Sequence, residues 1–143
     1  MKKGIDYTGV SVVFACHDGE GNYLFAKRGT NTRDEHGRWD PGSGALEFGE
    51  SPEETLIKEI KEEYLTYIVE KEFLGFRNVR RMDGDSRTHW IALDFRVLVN
   101  RDAAGLGEPH KFDEMGWYKL DDLPWPMHSQ WAAFYEKYRS RLF

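Results

Sequence analysis

The chain has 143 residues, 40% of them hydrophobic and 15% aromatic, which suits one domain over residues 1–143 with a single core. Its formal net charge of −5 argues against nucleic-acid polymers as partners, because those select basic surfaces. The lone cysteine, Cys16, has no partner for an internal disulfide and fits a reducing, cytoplasmic compartment, while no segment reads as a secretory signal or a membrane span.

Val10 to Cys16 is almost continuously apolar and β-branched, which predicts a central strand. Asp18 to Asn22 reads as a turn and Tyr23 to Arg28 as the partner strand. Gly29 to Gly37 is polar and loop-like. Ala45 to Phe48 reads as a short strand leading into a helix. Ser51-Pro52-Glu53-Glu54 then marks a helix start: Ser51 caps, Pro52 takes the first helical position, and Glu54 completes a capping box. That helix runs from about Pro52 to Tyr64 or Leu65, with Leu56, Ile57, Ile60 and Tyr64 as its apolar stripe. Glu72 to Arg81 predicts a strand, Asp83-Gly84-Asp85 a hairpin turn, and Trp90 to Val99 a strand of clear alternation. Arg101 to Gly107 reads as a loop and Met115 to Leu120 as the last strand. Ser129 is placed to cap a final helix, where Trp131, Phe134, Tyr135, Tyr138 and Leu142 form an aromatic core stripe. Strands, helix, strands, helix in that order predict an α+β fold with a mixed sheet between helices.

The first helix carries the chemistry. Glu59, Glu62 and Glu63 share an arc of about 100° beside the apolar stripe. Carboxylates about 5 Å apart repel by roughly 1 kcal/mol in water and roughly 3 kcal/mol at an effective dielectric near 20. Glutamate-rich helices are commonly solvated faces held by lysine pairs. Lys58 and Lys61, however, point largely elsewhere, and a divalent cation would reverse the sign of the repulsion.

Residues 44 to 66 resemble the Nudix box, G-x5-E-x7-R-E-U-x-E-E-x-G-U, with U a bulky aliphatic residue. Gly44, Glu50, Glu59, Ile60, Glu62 and Glu63 match in register, while Lys58 replaces arginine, Leu65 glycine and Thr66 the last aliphatic residue. Residues 37 to 44, GRWDPGSG, resemble the family's G-x-W-x-x-P-G-G entry. Glu114, Trp117, Tyr118, Leu120, Leu123 and Pro124 resemble its late E-x-x-W…L-P stretch. The resemblance spans about residues 8 to 126 and implies a Nudix fold, an α/β/α sandwich with a mixed β-sheet.

The same resemblance implies a Mg2+-dependent pyrophosphohydrolase, with Mn2+ as a substitute. It implies Glu59, Glu62, Glu63 and the Ser43 carbonyl as metal ligands, and Glu114 as an extra carboxylate. The general base stays open among Glu59, Glu63 and Glu114. Glu50 reads as structural, tying the loop to the helix through Lys58. Arg28 is a candidate phosphate contact, set against an ordinary surface arginine. Trp39 is expected to pack under the glycine loop. The stretch from Pro124 to Trp131 resembles the segment with which some family members stack on an oxidised purine. Trp125 takes the stacking position, and Met127 and His128 take those of two base-reading aspartates, so His128 is the candidate at the base edge.

The expected partner is a small-molecule nucleotide, with no nucleic-acid polymer and no membrane, for a monomer or homodimer. Nucleoside triphosphates lead as substrates, ahead of ADP-ribose or a nucleotide sugar. A non-catalytic nucleotide sensor is disfavoured because all four box glutamates remain. An isoprenoid diphosphate isomerase is disfavoured because no cysteine is placed for it.

Overall fold

A computed structural model describes residues 1–143. One seven-stranded sheet carries a helix on each face, the α+β Nudix arrangement expected from the sequence. The strands are β1 (Gly9–His17), β2 (Asn22–Arg28), β3 (Trp39–Asp40), β4 (Ser43–Ala45), β5 (Ile68–Asp83), β6 (Ser86–Val99) and β7 (Phe112–Lys119). The helices are α1 (Pro52–Tyr64) and α2 (Trp131–Leu142). The main path of the sheet is β3-β2-β1-β6-β5, with β4 on β1 and β7 on β2.

The central strand β1 runs parallel to β6 over its whole length, from Gly9 opposite Trp90 to His17 opposite Leu98. On its other edge it pairs with β2 only at His17 and Tyr23, then with β4 from Ser11 to Val13. The sheet therefore forks beside β1, and the segment from Trp39 to Ala45 lies in that fork.

Alternation along the strands divides the apolar residues between two faces. Val12, Phe14 and Cys16 of β1 join Phe95, Val97 and Val99 of β6 beneath Leu56, Ile60 and Tyr64 of α1. On the opposite face Trp131, Phe134, Tyr138 and Leu142 of α2 pack on Phe25, Trp39 and Leu74. The α2 stripe read from the sequence is thus core. A buried polar clasp ties α2 to the sheet: Tyr138 donates to the fully buried Asp94 carboxylate at 2.7 Å, and Arg77 donates to it at 2.8 and 2.9 Å.

Helix α1 starts and stops as its sequence dictates. Glu54 N–H donates to Ser51 Oγ at 3.1 Å and Ser51 N–H donates back to Glu54 Oε1 at 3.2 Å, completing the capping box. Leu65 ends the helix in the left-handed region, at φ 56° and ψ 19°, the conformation glycine would supply without strain. The next loop satisfies two exposed carbonyls of the last turn: Gly105 N–H donates to Tyr64 O and Gly107 N–H to Glu63 O, both at 2.9 Å.

Four sequence expectations need correction. The short strand expected over Ala45 to Phe48 lies at Ser43–Ala45, because only Ser43, Gly44 and Ala45 pair with β1, and Phe48 is fully exposed. The β5–β6 hairpin is longer than expected and closes at Asp83 opposite Ser86. Arg101–Ala103 forms a short 3-10 turn capped by Asn100. Ser129 does not cap α2: its hydroxyl and N–H both donate to Glu35, and Gln130 takes the cap position without a side-chain bond. No helix is long and apolar enough to cross a membrane.

Candidate active site

The box glutamates meet the glycine loop at the fork. Gly44 has no side chain because Glu59 occupies that space: a Cβ on Gly44 would lie 2.3 Å from the Glu59 carboxyl carbon. A Cβ on Gly42, which holds φ 132°, would lie 2.9 Å from Glu63 Oε2 and 2.3 Å from Phe14. The two glycines form a cradle that brings two carboxylates against backbone.

Burial and mutual repulsion both act on these acids. Glu59 is pushed up to about 7, first by burial and then by the Glu62 charge, with Glu108 adding to it and Lys58 and Lys111 opposing. Glu63 is buried and is held well above the usual carboxylate range, first by burial and then by Asp40, Glu59 and Glu108, with Arg28 opposing. Glu62 is exposed on the same helix side.

Glu108 was missed by sequence reasoning. It follows the loop whose N–H groups cap the end of α1, and its charge acts on both Glu59 and Glu63. Its side chain is largely buried and pairs with Lys111 Nζ at 3.3 Å. Its closeness to α1 depends on the path of residues 104 to 107, which periodicity does not reveal. Glu114, the extra carboxylate expected from the sequence, stands apart from this group. It is exposed on β7 opposite Lys27, whose Nζ lies 3.8 Å away, and its charge acts on Tyr118.

Arg28 is held by acids of its own neighbourhood. Its guanidinium donates to Asp40 Oδ2 at 3.0 Å, to the Asp34 carbonyl at 2.9 Å and to the Asp34 carboxylate at 3.2 Å. It locks the loop after β2 onto Asp40, the acid next to Glu63. Glu50 has the structural role expected of it. It accepts from Lys58 Nζ at 2.9 and 3.1 Å and from Thr55 Oγ1 at 3.0 Å, so lysine at the box arginine position still clasps the loop.

On the α2 face, behind β4, lies a cavity of about 240 Å³. Ser43, Gly44 and Ala45 form one wall, Trp131 and Phe134 another, and Arg33, Arg77 and Arg81 supply its cations. His128 lines it, and its Nδ1 accepts from Gln130 N–H at 3.1 Å. Trp125 does not line it: the side chain is 85% exposed. Trp39 is buried edge-to-face against Tyr118 at 5.5 Å, packed below the loop as expected. Ser43 stands between this cavity and the Gly44–Glu59 contact.

No three acidic, histidine or cysteine side chains converge as a ready-made metal-ligand set. The donors present nevertheless suit a hard divalent cation. They are carboxylate oxygens, two of them pushed towards the neutral form by burial and like charge, and seated where glycines leave room.

The comparisons agree with this geometry. The NUDIX domain family matches residues 7–139. A MutT NUDIX hydrolase from Burkholderia pseudomallei is 25% identical with a TM-score of 0.79, over 92% of this chain and 98% of that one. The MutT protein of Methanosarcina mazei Go1 is 24% identical with a TM-score of 0.72, over 93% and 91%. The NUDIX domain of Shewanella oneidensis NrtR, solved with ADP ribose, is 19% identical with a TM-score of 0.71, over 100% and 91%. The last two share the fold. The chain belongs to the NUDIX domain family and is a Nudix hydrolase acting on phosphoanhydrides.

Proposed function

We propose that this hydrolase is a magnesium-dependent pyrophosphohydrolase of nucleoside triphosphates, releasing monophosphate and pyrophosphate, with manganese able to substitute. Glu59, Glu62, Glu63 and the Ser43 carbonyl would hold the cations, and Glu108 takes the place first given to Glu114 as the extra carboxylate. The bound cations would neutralise the phosphate oxygens and lower the pKa of a bound water. The chain's own part is to position and to accept a proton. The Gly42–Gly44 cradle fixes Glu59 and Glu63, and bound cations would oppose the burial and like charge that push Glu59 up to about 7 in their absence.

The observation that carries this reading is the pair of carboxylates, Glu63 buried and Glu59 half-buried, packed against glycine backbone and both raised by burial and like charge. The neighbouring cavity supports a nucleotide substrate. At about 240 Å³ it is below the ~300–1,000 Å³ of drug-sized pockets and suits a single base. The NrtR domain bound to ADP ribose keeps ADP-ribose as the second reading.

The test is hydrolysis, with magnesium, of nucleoside triphosphates, nucleoside diphosphates, nucleotide sugars and ADP-ribose, measuring pyrophosphate and phosphate. Pyrophosphate release from triphosphates supports the proposal. Turnover confined to ADP-ribose or a nucleotide sugar selects the second reading.

A further inference from the structure

The cavity behind β4 has a hydrogen-bonding polarity of its own. Three of its lining side chains, Arg33, Arg77 and Arg81, are guanidiniums, which donate and never accept. Their charges are largely spoken for. Arg77 is clasped by Asp94 at 2.8 and 2.9 Å, and Arg81 by Glu35 at 3.0 Å and Asp34 at 3.3 Å. Each still has a spare donor, since Arg77 Nη1 and Arg81 Nε are buried with no acceptor. Arg33 is freer still. It is half-exposed, its nearest carboxylate is 4.0 Å away on Asp34, and its guanidinium lies 5.8 Å from the centre of the Trp90 ring.

The third unpartnered buried donor of the chain, Trp90 Nε1, belongs to the same wall but is shielded. A Cβ on Gly4 would lie 2.1 Å from it. Fixed acceptors are scarce. Asp40 lines the cavity, but its oxygens already accept from Arg28 at 3.0 Å and from Gly42 N–H at 3.3 Å. Gln130 and the serine hydroxyls present either polarity. A buried donor without an acceptor is costly, so an occupant carrying acceptors is favoured and one carrying a competing donor is penalised. Because Asp94 pairs with Arg77, and Asp34 and Glu35 with Arg81, the spare donors of those two arginines favour neutral carbonyl oxygens or ring nitrogens over phosphates.

We infer that this cavity selects bases bearing a keto group over those bearing an amino group at the same position, and that Arg33 is its specificity-determining residue, through the fork of N–H groups it holds at the wall beside Trp90. This rests on the nucleotide reading above and names the bases it would take: hypoxanthine, guanine or uracil ahead of adenine or cytosine. A guanidinium matches the adjacent O6 and N7 acceptors of a keto purine with two parallel bonds, whereas adenine turns an amino donor toward it.

The test compares pairs that differ only at that group. Turnover is measured for inosine against adenosine triphosphate and for uridine against cytidine triphosphate. Calorimetry separately measures binding of inosine and adenosine monophosphates, so that base preference is read even if triphosphates are not hydrolysed. A keto preference of about 10-fold or more in kcat/KM or in Kd is expected, one lost base contact being worth ~1–3 kcal/mol. Arg33→Met, in an exposed loop, should reduce that preference several-fold, and Arg33→Lys should restore only part of it because it lacks the fork. Equal use and equal binding of both members of each pair would overturn the inference. So would a keto preference unchanged in Arg33→Met.

Discussion

Gly107 touches the backbone of the catalytic helix: a Cβ on it would lie 2.0 Å from the carbonyl oxygen of Glu62. The contact is backbone against backbone, so no side-chain rotation relieves it. The same residue donates to Glu63 O, and its neighbour Glu108 is the carboxylate that acts on Glu59 and Glu63. Gly107→Ala therefore has to shift the loop and move Glu108 away from α1. The expected loss of stability is about 1–3 kcal/mol, read as a lower Tm, with a drop in turnover. Glu108→Gln should leave Tm almost unchanged and still reduce turnover. A Gly107→Ala protein with wild-type Tm and activity would refute the contact.

Glu62 is the exposed member of the three helix acids, and its charge helps to raise Glu59. Glu62→Gln keeps size and removes charge. Turnover should fall by about 10²–10⁴-fold, with the fold intact by circular dichroism. Unchanged turnover at saturating magnesium would remove Glu62 from the site.

The limits of α1 were legible because every signal for them is local. Ser51, Pro52 and Glu54 are neighbours in sequence, and Leu56, Ile60 and Tyr64 of the expected stripe are buried, although Ile57, at its edge, is exposed. The Glu50–Lys58 clasp was legible for the same reason, since loop and helix are contiguous. Glu108 was not, because it reaches α1 through a loop 45 residues downstream of Glu63 with no periodic pattern. The ion pairs of Arg28 were not legible either, because its partners, Asp34 and Asp40, are set by how the loop after β2 folds back. The second anchor of that loop is Arg81 on the distant strand β5.

The pH dependence of stability has opposing contributions. Without divalent cations, the folded state binds more protons than the unfolded state at Glu59 between about 4.5 and about 7. Stability from that group is therefore greatest at low pH and is lost as pH rises through that window. His17 acts the other way. Burial and Arg96 lower it to about 4, so its contribution is present above its unfolded value near 6.5 and is lost as pH falls towards 4. Glu63, held well above the usual carboxylate range by burial, acts in the same direction as Glu59, so a single Tm profile mixes all of these groups. The difference between wild type and Glu59→Gln isolates the Glu59 contribution. In chelator, the variant should gain Tm relative to wild type as pH rises from 4.5 to 7 and keep that advantage above 7. A constant difference across the range would show that Glu59 is not perturbed.

Leu65 stands where the Nudix box has glycine, and it holds φ 56°. A non-glycine residue in that region costs ~1–3 kcal/mol, while glycine adds an entropic cost of ~0.5–1 kcal/mol in the unfolded chain. The side chain gives something back. It is half-exposed, but its methyl groups lie against Gly105 and Gly107 in the loop that carries Glu108. Leu65→Gly should therefore stabilise the fold by only about 1 kcal/mol, read by urea unfolding at constant m. The same change should loosen the loop and lower turnover. Leu65→Ala keeps the strained backbone and loses the loop contact, so it should be less stable than both. If Leu65→Ala proved more stable than Leu65→Gly, left-handed strain at the end of α1 would not be what this position costs.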